Sequence, residues 1–178
     1  MTGILLLSFL LTGCGSPEPQ TGKKMSMYYI NTAETKVEVH EQYLNTKTLD
    51  EQLDETMRYL STTPEKLEYK APLDMGFRVL DYEVEDGKLL INVDKAYSEL
   101  SPTTEVLVRA AIVRTLTQLP NVKYVGITVE DSQLYDNAGE MVGWMNADQF
   151  INNDGNEINT YELVKVKLYF ANAAGDKL

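Results

Sequence analysis

Sulfur nucleophiles and imidazoles are nearly missing from this sequence: its 178 residues include one cysteine, Cys14, and one histidine, His40. No disulfide can form within the chain, so the fold has to rest on its core. Zinc-type sites and Cys–His catalysis need more of these groups than are present, and no metal or cofactor is expected. Basic residues are scarce as well. Against 27 Asp and Glu stand 16 Lys and Arg, a net charge of −11 with no basic cluster. That balance excludes nucleic acid, whose phosphates demand cations, and electrostatic adhesion to an anionic lipid surface. There is no Gly-rich phosphate loop, no G-x-S-x-G elbow, and no heptad run long enough for a coiled coil.

Long apolar runs are absent too. The one at the start, Ile4 to Leu11, is much too short to span a bilayer and suits the core of a signal peptide. It is followed by Leu11-Thr12-Gly13-Cys14, which looks like a bacterial lipobox. Cys14 is therefore expected to carry lipid and to hold the chain on the outer face of the cell membrane, with two acyl chains giving stable anchoring. Residues 1–14 read as the lipoprotein signal peptide. Residues 15–25, small and polar with prolines, read as a flexible tether.

The rest of the chain carries strong local signals. Met27 and Tyr29, then Val37, Val39 and Tyr43, alternate with polar residues as half-buried strands do, and 31–34 offers a turn between them. In this alternation His40 falls on the polar side and reads as an ordinary surface residue. Thr48-Leu49-Asp50-Glu51 fits a capping box, and Leu53, Met57 and Leu60 form an apolar stripe. Residues 61–75 read as a loop. Leu80, Tyr82 and Val84 run up to Asp86-Gly87, and Leu89, Ile91 and Val93 run away from it, a hairpin pattern. Ser101-Pro102 opens a second helix whose apolar residues cover more than one side. Val125, Ile127 and Val129 form a further strand, and 133–161 is irregular. The expected fold is α+β, in the order strand, helix, hairpin, helix, strand. Two helices pack on one face of a small mixed β-sheet.

Candidate chemistry is thin. Asp81, Glu83 and Glu85 alternate with apolar residues, so they line the solvent face of the hairpin and discourage edge pairing. The 152–157 run suggests a calcium loop, but aligning Gly155 to its sixth position puts Phe150 first and Tyr161 twelfth, where carboxylates are required. A polar turn is the reading. Trp144, the sole tryptophan, is expected to pack a connecting segment onto the core, with a binding role as the alternative. The 11 tyrosines favour a protein-contacting surface, because Tyr joins a large apolar ring to a polar tip.

The stretch from Gly87-Lys88-Leu89-Leu90-Ile91-Asn92-Val93-Asp94-Lys95-Ala96-Tyr97 through residues 105–122 to the strand ending at Val129 resembles the GerMN domain family. That module belongs to sporulation and spore-germination lipoproteins. The likeness covers residues 26–146 and implies a ring-building-motif-like fold without enzymatic activity. It also implies partners among other envelope proteins, of the kind found in the SpoIIIA–SpoIIQ assembly between mother cell and forespore. An internal repeat fits: sliding Met27 onto Leu168 aligns Tyr28 with Tyr169, Asn31 with Asn172, Ala33 with Ala174 and Lys36 with Lys177. Residues 147–165 then read as a linker, and 166–178 as the first strand of a second, incomplete repeat. The expected role is a lipid-anchored, non-catalytic scaffold in the sporulation or germination envelope machinery. The alternative is a module that binds cell-wall peptidoglycan. A hydrolase would require a cleft with a facing pair of carboxylates.

Overall fold

The computed structural model describes residues 22–63, 68–136 and 138–150. The signal peptide with Cys14, residues 15–21 of the tether, the 152–157 turn and the 166–178 repeat lie outside them. Among the described residues no helix is long and apolar enough to cross a membrane.

Strand β1 (Lys23–Asn31) pairs antiparallel with β2 (Val37–Leu44). Asn31 organises the turn between them, its Oδ1 accepting from the amides of Thr35 at 2.8 Å and Lys36 at 3.1 Å. Helix α1 (Leu49–Leu60) begins at the expected capping box. The Glu51 amide donates to Thr48 Oγ1 at 3.3 Å, and the Thr48 amide donates to Glu51 Oε2 at 3.2 Å. That amide holds the Glu51 carboxyl below the usual carboxylate range. Leu53, Met57 and Leu60 are buried, as their spacing requires.

The segment read as a loop contains a short strand, β3 (Tyr69–Lys70), paired with Ile30 and Asn31. The hairpin follows as β4 (Val79–Glu85) and β5 (Lys88–Val93). Its turn residues Asp86 and Gly87 take positive φ, 49° and 80°, the left-handed geometry for which Asp-Gly is suited. Helix α2 (Pro102–Leu116) is capped by Ser101, whose Oγ accepts from the Thr104 amide at 3.2 Å. Val108, Ala110, Ala111, Ile112, Val113 and Leu116 are all buried, so this helix is covered nearly all round. Strand β6 (Tyr124–Val129) runs parallel to β5, and β7 (Ser132–Gln133) closes a tight hairpin beside it.

The α+β class and both helices stand as expected, but the strands form two sheets where the sequence suggested one. Their orders are β2-β1-β3 and β4-β5-β6-β7. The physical reason is the edge of β1. Helix α2 lies along it and supplies side chains where a neighbouring strand would supply backbone. Ser26 donates its amide to Gln118 Oε1 at 3.0 Å, and Gln118 Nε2 returns a bond to the Ser26 carbonyl at 2.7 Å. The Tyr28 amide donates to Thr115 Oγ1 at 3.0 Å. With these groups satisfied, β1 has no free edge there to offer the second sheet. One apolar cluster nevertheless joins everything: Met25, Met27 and Tyr29 from β1, Leu53 and Met57 from α1, Leu89, Ile91 and Val93 from β5, and the α2 residues. Tyr82 ties β4 to α1 by donating to Asp54 Oδ1 at 2.7 Å. Burial, and then that carboxylate, push its phenol up to about 12.

The β1–β2 register corrects two expectations. Met27 lies opposite His40 and Tyr28 opposite Val39. Opposed residues share a face, so His40 joins the buried side with Met27 and Tyr29. It is not an ordinary surface residue. Its ring centroid is 4.4 Å from that of Tyr69 and 5.8 Å from that of Tyr29. Its Nε2 is buried without a hydrogen-bond partner among the described residues. Val39, expected inside, is 51% exposed on the other face. The connection between the strands, not each strand's own alternation, decides which sides coincide.

Two outcomes follow from these contacts. Thr115→Val keeps the shape but removes the acceptor for the Tyr28 amide, and should cost about 1–3 kcal/mol, read as a lower urea midpoint. Thr115→Ser should retain most of that stability; equal midpoints for all three chains would show that the edge bond contributes nothing. His40→Phe keeps the aromatic packing and removes a buried nitrogen with no partner, so stability should rise by about 1 kcal/mol.

Candidate protein-contact face

The second sheet has two different sides. Leu89, Ile91 and Val93 point into the core, and Tyr82, Val84, Val125 and Ile127 share their side by register. The alternate residues form rows on the opposite side, which no described helix covers. Glu85, Lys88 and Tyr124 make one row, and Glu83, Leu90 and Gly126 the next. Asp81, Asn92, Thr128 and Gln133 make the third. Neighbouring strands lie about 4.8 Å apart, and successive residues on one side about 6.8 Å. Asp81, Glu83 and Glu85 are all exposed, as their alternation required.

Trp144 fills the gap that Gly126 leaves. The Val125 and Met145 backbones exchange two hydrogen bonds of 2.8 Å each, which fixes the segment around 145 along β6. Met145 opposes Val125 and is buried, so its neighbour Trp144 falls on the outer side. A Cβ at Gly126 would stand 2.8 Å from Trp144 Cζ3 and 2.9 Å from Cε3, closer than any side chain tolerates. Only glycine lets the indole rest on the strand. Trp144 therefore packs a connecting segment, as expected. Yet it does so on the outer side and stays 42% exposed, with Tyr124 at 41%. Lys88 Nζ lies 5.3 Å from the indole centroid, a cation–π contact.

The third row is held rigid. Asn92, itself buried, donates to Asp131 Oδ1 at 2.7 Å and to Asp81 Oδ2 at 3.2 Å, and accepts from the Asp131 amide at 3.0 Å. These bonds hold Glu130 and Asp131 at positive φ, 47° and 62°, in the turn from β6 to β7. Non-glycine residues take that conformation at a cost, which the Asn92 contacts offset.

The strongly placed polar groups elsewhere are structural. Lys70, then Thr104, hold the Glu34 carboxyl below its usual range where the first turn meets β3 and the start of α2. Burial pushes the Tyr97 phenol far up, aided by Glu105, to whose Oε1 it donates at 3.0 Å. Glu105 in turn pairs with Arg109. None of these groups sits on the open face. Among the described residues no three His, Cys, Asp or Glu side chains converge on a possible metal position. The sequence reading counted Tyr124 only among the tyrosines that favour a contact surface, and missed Gly126. The available signal was a lone glycine between Val125 and Ile127, which marks a close approach in a strand.

Gly126→Ala should lift the indole from β6. Since Trp144 is the only tryptophan, its emission should shift to the red and its quenching by acrylamide should rise. Stability should fall by about 1–3 kcal/mol. An unchanged spectrum would show that the ring does not rest on Gly126 in solution.

Among curated protein sequences, none matches this chain. Among solved structures, the first GerMN domain of the sporulation protein GerM from Bacillus subtilis aligns with a TM-score of 0.51 at 15% identity, covering 67% of this chain and 92% of that one. The tandem GerMN domains of the same protein align at 0.49 and 18% identity, over 74% of this chain and 48% of that one, so the match spans about half the tandem's length. A candidate lipoprotein from Clostridium perfringens aligns at 0.48 and 17% identity, over 71% and 89%. At these identities the likeness is one of fold. The model of the Germane family, described as sporulation and spore germination, matches residues 26–135. That span is more than half of the sequence and runs from β1 through both helices to the edge of the open face, so the chain belongs to the Germane family.

Proposed function

We propose that this Germane-family chain is a lipid-anchored, extracytoplasmic interaction module of the sporulation or germination envelope machinery, without catalytic activity. The open side of the second sheet is its contact surface. The observation that carries the reading is a sheet face that no described helix covers and that keeps Trp144 and Tyr124 exposed. Burying large aromatics against a partner is what gives protein interfaces most of their energy. Anchoring is proposed at Cys14, from Leu11-Thr12-Gly13-Cys14; of the expected tether, 15–25, residues 23–25 belong to β1, with Met25 in the core, so the domain opens at Lys23. The partners are envelope proteins of the SpoIIIA–SpoIIQ type, as the family resemblance implies. Residues 166–178 are proposed as the opening strand of a second repeat.

A second reading, binding to peptidoglycan, is favoured by the same two aromatics, because a flat exposed ring can stack on a sugar. Its marker is co-sedimentation with purified cell wall that depends on Trp144.

The test begins with Cys14→Ser in the full chain. The native protein should incorporate labelled fatty acid and fractionate with membranes, and the variant should do neither. Envelope proteins should co-purify with the native chain from sporulating cells and be lost on Trp144→Ala. Labelling that persists without the thiol would end the anchoring claim, and partner capture indifferent to Trp144 would end the claim for this face.

A further inference from the structure

We infer that the open face of the second sheet receives a basic segment of a partner protein, with an Arg or Lys side chain laid over Trp144 and paired to Glu83 and Glu85. The inference rests on the protein-contact reading above and adds the chemistry of the partner. Three features of the face point to it.

The first is sign. Strand β4 contributes Asp81, Glu83 and Glu85 to this side, and Asp131 stands at its end, while Lys88 is the cation of the three rows. Neither Glu83 nor Glu85 forms an ion pair with a described residue. A chain with a net charge of −11 also draws cations from a distance and turns polyanions away.

The second is the way the aromatic groups are used. Trp144 already holds an ammonium, that of Lys88, at 5.3 Å from its centroid. The ring is thus presented to a cation within the molecule itself, and a guanidinium, planar and weakly hydrated, suits an indole better than an ammonium does. Tyr124, one row along, offers a second ring.

The third is spacing. Glu83, Leu90 and Gly126 lie side by side on adjacent strands, with Trp144 over Gly126. Two strand spacings, about 10 Å, separate the Glu83 and Gly126 backbones. A guanidinium over Leu90 can face the ring on one side and the carboxylate on the other, its stem lying on apolar surface. The partner lies on the face of the sheet; the alternating carboxylates of β4 disfavour strand addition at that edge. A sugar polymer would use the rings and leave the carboxylates without a role.

Emission from Trp144 gives a direct readout in the full-length chain. An oligo-arginine peptide should change it saturably, an oligo-glutamate peptide should not, and raised salt should weaken the response. Glu83→Lys with Glu85→Lys should weaken binding on the order of tenfold or more. Glu68→Lys with Glu99→Lys, an equal charge change at exposed positions outside the rows, should leave it within about twofold of the native chain. Trp144→Leu, followed by calorimetry, should also weaken it. Equal losses from the two reversed pairs would show a diffuse attraction to an acidic protein and overturn the assignment. So would Trp144-dependent binding to purified cell wall with no response to the arginine peptide. Capture of envelope partners that survives the Glu83/Glu85 reversal would overturn this partner chemistry while leaving the module reading in place.

Discussion

A helix standing where a strand would be expected is the constraint on which the rest of this structure turns. Thr115 and Gln118 of and just beyond α2 satisfy alternate backbone groups of β1, at Tyr28 and Ser26. Each such bond is worth only about 1 kcal/mol in net terms, but leaving the amides unmet inside the fold would cost more. The arrangement commits α2 to the middle of the molecule, apolar on nearly all sides, between the edge of one sheet and the inner face of the other. Both helices are then used on the same side of the second sheet: α2 through the shared core and α1 through the Asp54–Tyr82 bond. The far side of that sheet is left without a described cover. The open face is a consequence of where α2 was spent.

On that face, size and polarity compete. A Trp on a sheet buries most area when it lies flat, and a residue with any side chain at position 126 would hold it off. Gly weakens a strand by forgoing side-chain contacts and adding backbone freedom, by roughly 0.5–1 kcal/mol. Burial of more than half of the Trp144 side chain offsets that cost at about 25 cal/mol per Å². The same ring nevertheless remains 42% exposed, so the packing is only partly complete without a partner.

What could be read from the sequence was whatever local chemistry decides. The Thr48–Glu51 box, the Ser101 cap with Pro102, and the Asp86-Gly87 turn are each settled within a few residues, and each stands in the structure where its pattern put it. The alternation of Asp81, Glu83 and Glu85 told correctly which side of the hairpin meets water, because the buried strand β5 sets its register. What could not be read was anything that compares two segments. Odd-numbered apolar residues in both β1 and β2 suggested one shared face, but the connection pairs odd with even, bringing His40 inward and Val39 outward. Strands of two residues, such as β3 and β7, carry no periodicity to detect. The turn at Glu130 and Asp131 lacks the usual glycine because Asn92, far away in sequence, holds it.

The face also shows why acidic alternation need not mean the same thing along and across a strand. Along the edge of β4, like charges at every second position repel an incoming strand that would bring its own acids, which keeps the hairpin from pairing indiscriminately. Across the sheet, the same carboxylates border a row that ends in an exposed indole, with Leu90 between. Repulsion at the edge and attraction over the face then act together. A strand without cations is refused on both counts. A segment that presents a guanidinium to the face gains a carboxylate from β4, an apolar platform from β5 and a ring from the segment bridged to β6. Selectivity of this kind needs no pocket, because the pleat and the Val125–Met145 bridge fix the spacing of the three groups before any partner arrives.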